Sequence, residues 1–221
     1  MILRPPEFAP LGDSAITIRF GEGASDELSR AVFRAAQALA SARIDGADDI
    51  VPAYAVLTVY YDPIAVSYDD MLMRIQAALP DGADAADDSR TPPATLVRIP
   101  VRYDGEDLDN VSRTTGLSTK DLIELHSGGE YRALVIGFVP GFAYLGTLDP
   151  RLSCPRLASP RKRVPPGSVA IADLQTAVYP SATPGGWNII GHTATVMFDA
   201  MRDTPALLRV GDRVKFDPVD L

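Results

Sequence analysis

Two arginines and a tryptophan are the residues of this chain best suited to recognise an anion. Between Arg151 and Arg163 lie five cations, Arg151, Arg156, Arg161, Lys162 and Arg163, and no acid. The chain as a whole carries a formal charge of −8, so this run inverts the local sign. Pro155-Arg156 and Pro160-Arg161 repeat a step in which a fixed φ precedes a guanidinium, a planar fork that matches carboxylate or phosphate. A solvated basic loop has the same composition, and the run alone does not separate the two readings. Downstream, Thr183-Pro184-Gly185-Gly186-Trp187-Asn188 offers two missing Cβ atoms, an indole that can stack, and hydrogen-bonding groups on Thr183 and Asn188. The same residues also describe a tight turn that anchors Trp187 in a core. Gln175 and Thr176, just ahead of Tyr179-Pro180, can line one cleft with them or serve strand-end hydrogen bonds.

Proton chemistry is thinly supplied. There are two histidines. His192 follows Gly191 near the start of a strand and reads as a packed residue before it reads as a catalyst, while His126 at a helix end reads as a partner of the helix dipole. No Ser-His-Asp or Cys-His order assembles from two histidines. Cys154 lies among cations that can lower its pKa, yet a lone thiol supports neither a disulfide framework nor a metal cluster. The sequence therefore leaves the catalytic residue unknown and gives no reason to expect a metal site. Both GxxxxGK[ST] and GxGxxG are absent, so a bound nucleotide would need another cradle.

The elements that must hold these groups are unusual in composition. Residues 137–192 contain eight of the 19 prolines and seven of the 17 glycines, interleaved with Phe138, Phe142, Tyr144, Leu145, Val164, Ile171, Tyr179, Trp187 and Ile189. Fixed turns punctuated by aromatics suggest a folded, loop-built surface rather than a disordered tract. Around it the chain reads as mostly β, with strands expected over 95–101, 131–138, 188–198 and 207–216. Ser118 and Asp121 cap a short helix carrying Leu122 and Leu125 that closes at Gly128-Gly129. Many short strands with Gly/Pro turns favour a barrel or sandwich.

The N-terminal third alternates instead. Ile16, Ile18 and Phe20 mark one strand, and residues 54–60 mark another. Leu28, Val32, Ala35 and Leu39 form a helical stripe behind Ser25, and Met71, Leu72, Ile75 and Leu79 form a second behind Ser67 and Asp70. This β-α-β-α order predicts a small layer with both helices on one sheet face. The expected organisation is α+β: an α/β-layer domain over 1–80, an acidic linker over 81–93, and a β domain over 94–221. A solvated loop inside one domain is the other reading of the linker.

Charge follows the same division. Residues 1–90 hold 7 Lys+Arg against 15 Asp+Glu, whereas residues 91–221 hold 14 of each. That is no nucleic-acid footprint, which needs a basic face. The N-terminus lacks a signal-peptide apolar run, and no span reaches the roughly 18 apolar residues of a membrane helix, so a cytoplasmic protein is expected.

Five ordered motifs then become recognisable: GFxPGFxYLG (Gly137–Gly146), PRxxxPR (Pro155–Arg161), VPxGSV (Val164–Val169), QTxVYP (Gln175–Pro180) and TPGGWxxIGHT (Thr183–Thr193). Together with Gly12-Asp13-Ser14-Ala15 and Tyr60-Tyr61-Asp62-Pro63, they resemble the B subunit of bacterial ATP-dependent 5-oxoprolinase over nearly the whole chain. That family is also called allophanate hydrolase subunit 1, and it includes KipI-type inhibitors of histidine kinases; a urea carboxylase domain is similar. The resemblance implies that the β domain is a cyclophilin-like barrel, with no prolyl isomerase activity following from fold alone. It implies ATP as co-substrate, with magnesium, and a C-subunit partner alongside an A subunit, the three opening the lactam of 5-oxoproline to glutamate. A KipI-like regulator and an allophanate- or urea-processing subunit are the alternatives. Carried over residue by residue, the binding candidates are Phe142, Tyr144, Arg156, Arg161, Gln175, Thr176, Thr183, Gly185, Gly186, Trp187 and His192. Departures from the pattern are Ala143 for a proline, Ala172-Asp173 for a glycine pair, and Ala177 for a glycine; the added Cβ atoms are expected to narrow a cleft or resist φ > 0.

Overall fold

The computed structural model describes residues 5–23, 25–79 and 95–219. The chain divides into two compact units, Met1–Pro93 and Ala94–Leu221. The expected linker over 81–93 lies outside the described residues.

The first unit is an antiparallel sheet of β1 (Glu7–Pro10), β2 (Ala15–Arg19), β3 (Ala47–Ala53) and β4 (Val56–Tyr61), in the order β1-β2-β4-β3. Helices α1 (Asp26–Ala42) and α2 (Tyr68–Ala78) start where the sequence placed them, because Ser25 accepts from the Leu28 N–H and Ser67 from the Asp70 N–H. Ile16, Ile18, Leu57, Val59 and Tyr61 from the strands form one core with Val32, Ala35 and Leu39 of α1 and Met71 and Ile75 of α2. Both helices therefore cover the same sheet face, as the alternation of apolar residues requires. Strands β1 and β3 carry no sequence signal: both contain proline and charge, which edge positions tolerate.

The second unit is built on a seven-stranded sheet. Its strands are β5 (Leu96–Val101), β6 (Tyr131–Ile136), β7 (Ala143–Gly146), β9 (Ser168–Ala172), β10 (Gln175–Val178), β12 (Asn188–His192) and β13 (Arg213–Pro218), ordered β12-β9-β10-β7-β6-β13-β5. The two outer strands meet. Just beyond β5, Arg102 bridges to His192 at the end of β12, with Arg102 N–H to His192 O at 2.9 Å and His192 N–H to Arg102 O at 2.8 Å. Pairing continues from the Asp107 N–H to Ile189 O at 2.9 Å, so the sheet is a nearly closed barrel. A separate ribbon pairs β8 (Arg161–Val164) with β11 (Thr183–Gly185). Helices α3 (Leu108–Thr115) and α4 (Thr119–Gly128) pack beside β12 and β13.

Strand periodicity sorts the barrel wall into two clusters. Leu145, Val169, Ile171, Val178 and Ile190 point inward to a core with Ile99, Val101, Leu122, Tyr131, Val214 and Phe216. Their neighbours Phe142, Ala170, Ala172, Ala177, Tyr179 and Ile189 point outward, where Val164 of the ribbon and Trp187 cover them. The strand β9 reads SVAIA without polar alternation because both of its faces are buried.

Several expected boundaries shift. The strand expected over 188–198 ends at His192, and that over 207–216 begins only at Arg213, after a turn pinned by the Arg209 N–H donating to Asp212 at 2.8 Å. Phe138 falls outside β6 because its φ is +73°. Asp173 takes φ +51° in place of the glycine expected there, a conformation Asp tolerates. Ala143 and Ala177 are both buried, Ala143 in the barrel core and Ala177 in the outer cluster.

Candidate functional site

The outer cluster is an aromatic block. Phe142 lies at its centre, edge-to-face with Phe138 (5.5 Å), Tyr144 (4.9 Å), Tyr179 (5.3 Å) and Trp187 (5.8 Å between centroids). Successive motifs supply each member: the β6–β7 loop, β7, the end of β10, and the turn into β12. Arg156 places its guanidinium over the Trp187 ring, 5.8 Å from the centroid, and its segment is held by the Leu157 N–H donating to Gly186 O at 2.7 Å. The Tyr179 hydroxyl is raised above the ordinary tyrosine range by burial, against the opposing effects of the Trp187 backbone N–H and of Arg156.

The two Pro-Arg arginines part company. Arg161 is committed: its Nη2 donates to both oxygens of Asp107 at 2.7 and 2.8 Å, and its Nε lies 2.9 Å from Glu106. Asp107 also accepts from the Ile189 N–H at 2.7 Å, so one buried carboxylate ties the ribbon, α3 and β12 together. The expectation that both arginines offer open forks to a ligand is thereby corrected, because the acids that neutralise Arg161 come from a distant part of the sequence. Arg156 is exposed and pairs with no carboxylate among the described residues.

Parity corrects a second expectation. Gln175 and Thr176 are adjacent in β10, so they face opposite sides of the wall and cannot line one cleft. Thr176 points into the barrel, 0% exposed, and donates to Ala170 O at 3.1 Å. Its oxygen then accepts from Nε2 of His126 at 2.9 Å, which leaves Nδ1 to accept from the Tyr103 hydroxyl at 2.7 Å. His126 stacks on Phe216 at 4.7 Å, and burial lowers its pKa to about 3. A neutral imidazole is no dipole partner, so the reading of His126 from its helix-end position is also corrected.

Gly185 and Gly186 serve different ends. A Cβ on Gly185 would collide with the Tyr179 hydroxyl, so its missing side chain makes room for the block rather than for a ligand. A Cβ on Gly186 would meet nothing nearer than 3.7 Å. Thr183 is buried in β11, and its hydroxyl finds no protein partner among the described residues. Cys154 is buried, which raises its thiol pKa and removes it as a nucleophile candidate.

His192 lies at the far end of β12 from Trp187, roughly 16 Å along the strand at about 3.3 Å per residue. It belongs to a different constellation, with Nδ1 2.7 Å from Asp104, which in turn pairs with Arg102. Burial opposes ionisation of Asp104, but the hydrogen bonds from His192 and Arg102 outweigh it and lower the pKa. A carboxylate-oriented imidazole can relay a proton; here it also staples the barrel seam. Sequence reasoning missed Asp104, Glu106 and Asp107 altogether. Among the described residues no group of three or more His, Cys, Asp and Glu side chains converges as a metal site would, and no helix is long and apolar enough to cross a membrane.

The chain is similar to known proteins along most of its length. The B subunit of 5-oxoprolinase from Bacillus subtilis (strain 168) is 39% identical over 219 residues, covering 93% of this chain and 90% of its own. The protein of the same name from Escherichia coli O157:H7 is 52% identical over 130 residues, covering 58% of this chain and 60% of its own. The crystal structure of TTHA0988 superposes with a TM-score of 0.82 at 42% identity over 93% of this chain, which spans only 40% of that longer one. The family model for the carboxyltransferase domain, subdomain C and D, matches residues 6–208, and the chain belongs to that family.

Proposed function

We propose that this chain is the B component of an ATP-dependent 5-oxoprolinase and helps activate the lactam of 5-oxoproline for opening to glutamate, together with C and A subunits. The observation that carries the reading is the end-to-end match to a relative that bears the name of the 5-oxoprolinase B subunit. The site supports it: 5-oxoproline is a small ring with one carboxylate, and what the aromatic block turns to solvent is the Phe138 ring and the guanidinium of Arg156 over Trp187. Opening the ring requires attack on an unreactive amide carbon. In the proposed scheme the lactam oxygen attacks the γ-phosphorus of ATP and ADP departs; one water then adds to the ring carbon and expels the ring nitrogen as the amine, leaving an acyl phosphate, and a second water releases phosphate to give glutamate. Magnesium would accompany ATP, but the described residues supply no convergent acidic cluster to cage it.

The test is reconstitution. Co-expression with C and A subunits should give ATP hydrolysis that depends on 5-oxoproline, and Arg156→Ala should remove most of it while the chain still assembles. Full turnover by Arg156→Ala, or no turnover by the wild-type complex, would refute the assignment.

A further inference from the structure

Phe138 stands apart from every other aromatic in the block. It is 59% exposed, whereas Phe142 and Trp187 are 2% and 5% exposed. Its φ of +73° lies in the left-handed region, which a bulky side chain occupies only under strain. The loop gives it no route to relax. The Gly137 N–H donates to Phe142 O at 3.1 Å, and the Phe142 N–H donates to Val139 O at 3.0 Å, closing two turns around Phe138. Gly141, at φ +79°, fixes the other side, since a Cβ there would sit 2.6 Å from the Phe198 Cβ. Packing does not explain the residue: among the described residues the ring makes one edge-to-face aromatic contact, with Phe142, and it is 59% exposed. A strained backbone that presents an apolar ring to solvent is the opposite of what stability alone selects.

We infer that Phe138 is a substrate-contacting residue of the aromatic site, its ring forming an apolar face against the five-membered lactam whose carboxylate Arg156 receives. This rests on the function proposed above.

Three measurements separate this role from a structural one. In the reconstituted complex, Phe138→Ala should raise KM for 5-oxoproline about tenfold, equivalent to ~1.4 kcal/mol, with KM for ATP unchanged, and Phe138→Tyr should restore it. In the full chain alone, Phe138→Ala should lower Tm by no more than about 2 °C because only an exposed edge contact is lost, and Phe138→Asn by less, because Asn tolerates φ +73°. Trp187, the chain's single tryptophan, reports binding directly: 5-oxoproline should change its fluorescence in the wild type and require a higher concentration in Phe138→Ala. A rise in KM for ATP instead, an unchanged KM for both substrates, a large loss of Tm, or loss of co-purification with the C subunit each overturns the inference. A wild-type complex inert towards 5-oxoproline refutes the parent reading, and the role of Phe138 falls with it; in that event the fluorescence of Trp187 is also silent.

Discussion

Removing Arg161 and removing Arg156 should have opposite consequences, although the two residues stand in matching Pro-Arg steps. Arg161→Ala deletes three charge-assisted contacts, one to Glu106 and two to Asp107, and leaves the buried Asp107 carboxylate with only the Ile189 N–H. Breaking a buried pair from one side costs about 3–5 kcal/mol. The side chains of Arg161 and Asp107 are 23% and 10% exposed, so water can partly rescue the carboxylate, and we take about 2–3 kcal/mol as the expected loss. For a domain of this size that corresponds to a fall in Tm of roughly 8–12 °C. Arg156→Ala gives up only an exposed contact over Trp187, worth about 0.5 kcal/mol, and should leave Tm within about 2 °C. Calorimetry on both variants, with Asp107→Asn and the Arg161→Ala/Asp107→Asn double variant, tests the assignment. The double variant should be less destabilised than the sum of the singles by about 1–2 kcal/mol, since the second change removes the stranded charge. An Arg161→Ala protein with wild-type Tm would show that Asp107 does not depend on it, and the guanidinium would again be a candidate ligand donor.

Other perturbations probe the same framework. Gly185→Ala should cost about 1–3 kcal/mol in denaturant unfolding as the new methyl displaces Tyr179, whereas Gly186→Ala should stay within about 0.5 kcal/mol. His126 is neutral in the folded state down to about pH 3 but protonates near 6.5 when unfolded, so the unfolded chain binds the extra proton and stability falls as pH drops through that window. Urea midpoints between pH 7 and 4 should show this loss, by up to about 1.4 kcal/mol per pH unit, and His126→Gln should flatten it. Ser118→Ala removes an oxygen that accepts from the Asp121 N–H at 3.1 Å and a hydroxyl that donates to the Asp121 carboxylate at 2.6 Å; unfolding should register a loss of about 1 kcal/mol with no change in ligand affinity.

What could be read ahead of the structure was local, and what could not was not. Ser25, Ser67 and Ser118 announce their helices because a cap and the turn it satisfies lie within three residues of each other. Helix α3 escaped notice because its N-cap Asp107 turns its carboxylate to Ile189 and Arg161 instead of to its own first turn, and its Ser/Thr-rich body has low propensity; the Leu108/Val111 pair and Gly116 were the signals available. Many of the prolines and glycines of residues 137–192 mark turns, but Gly146, Pro184, Gly185 and Gly191 lie within strands, and six strands, β7 to β12, fall in this stretch. Of these, β7 to β11 are three to five residues long, too short for periodicity to register. The cation run misled for a related reason: counting acids between Arg151 and Arg163 ignores Glu106 and Asp107, which only the closure of β12 against the segment after β5 brings to Arg161.

The same topology limits what the aromatic block can do by itself. Arg156 can receive one anionic group, and the Tyr179 hydroxyl is protonated at neutral pH as any tyrosine is, burial raising its pKa further. Neither the Asp104–His192 pair at the barrel seam nor the buried neutral His126 lies in the block, and the remaining carboxylates near it are spent on Arg161. On the proposed reading, phosphoryl transfer to the lactam needs further cations around the γ-phosphate, and ring opening needs a base for water. One wall with one guanidinium supplies neither. On that same proposed reading the block orients substrate through Arg156, and the groups that bind the γ-phosphate and activate water would be supplied by the proposed partner subunits.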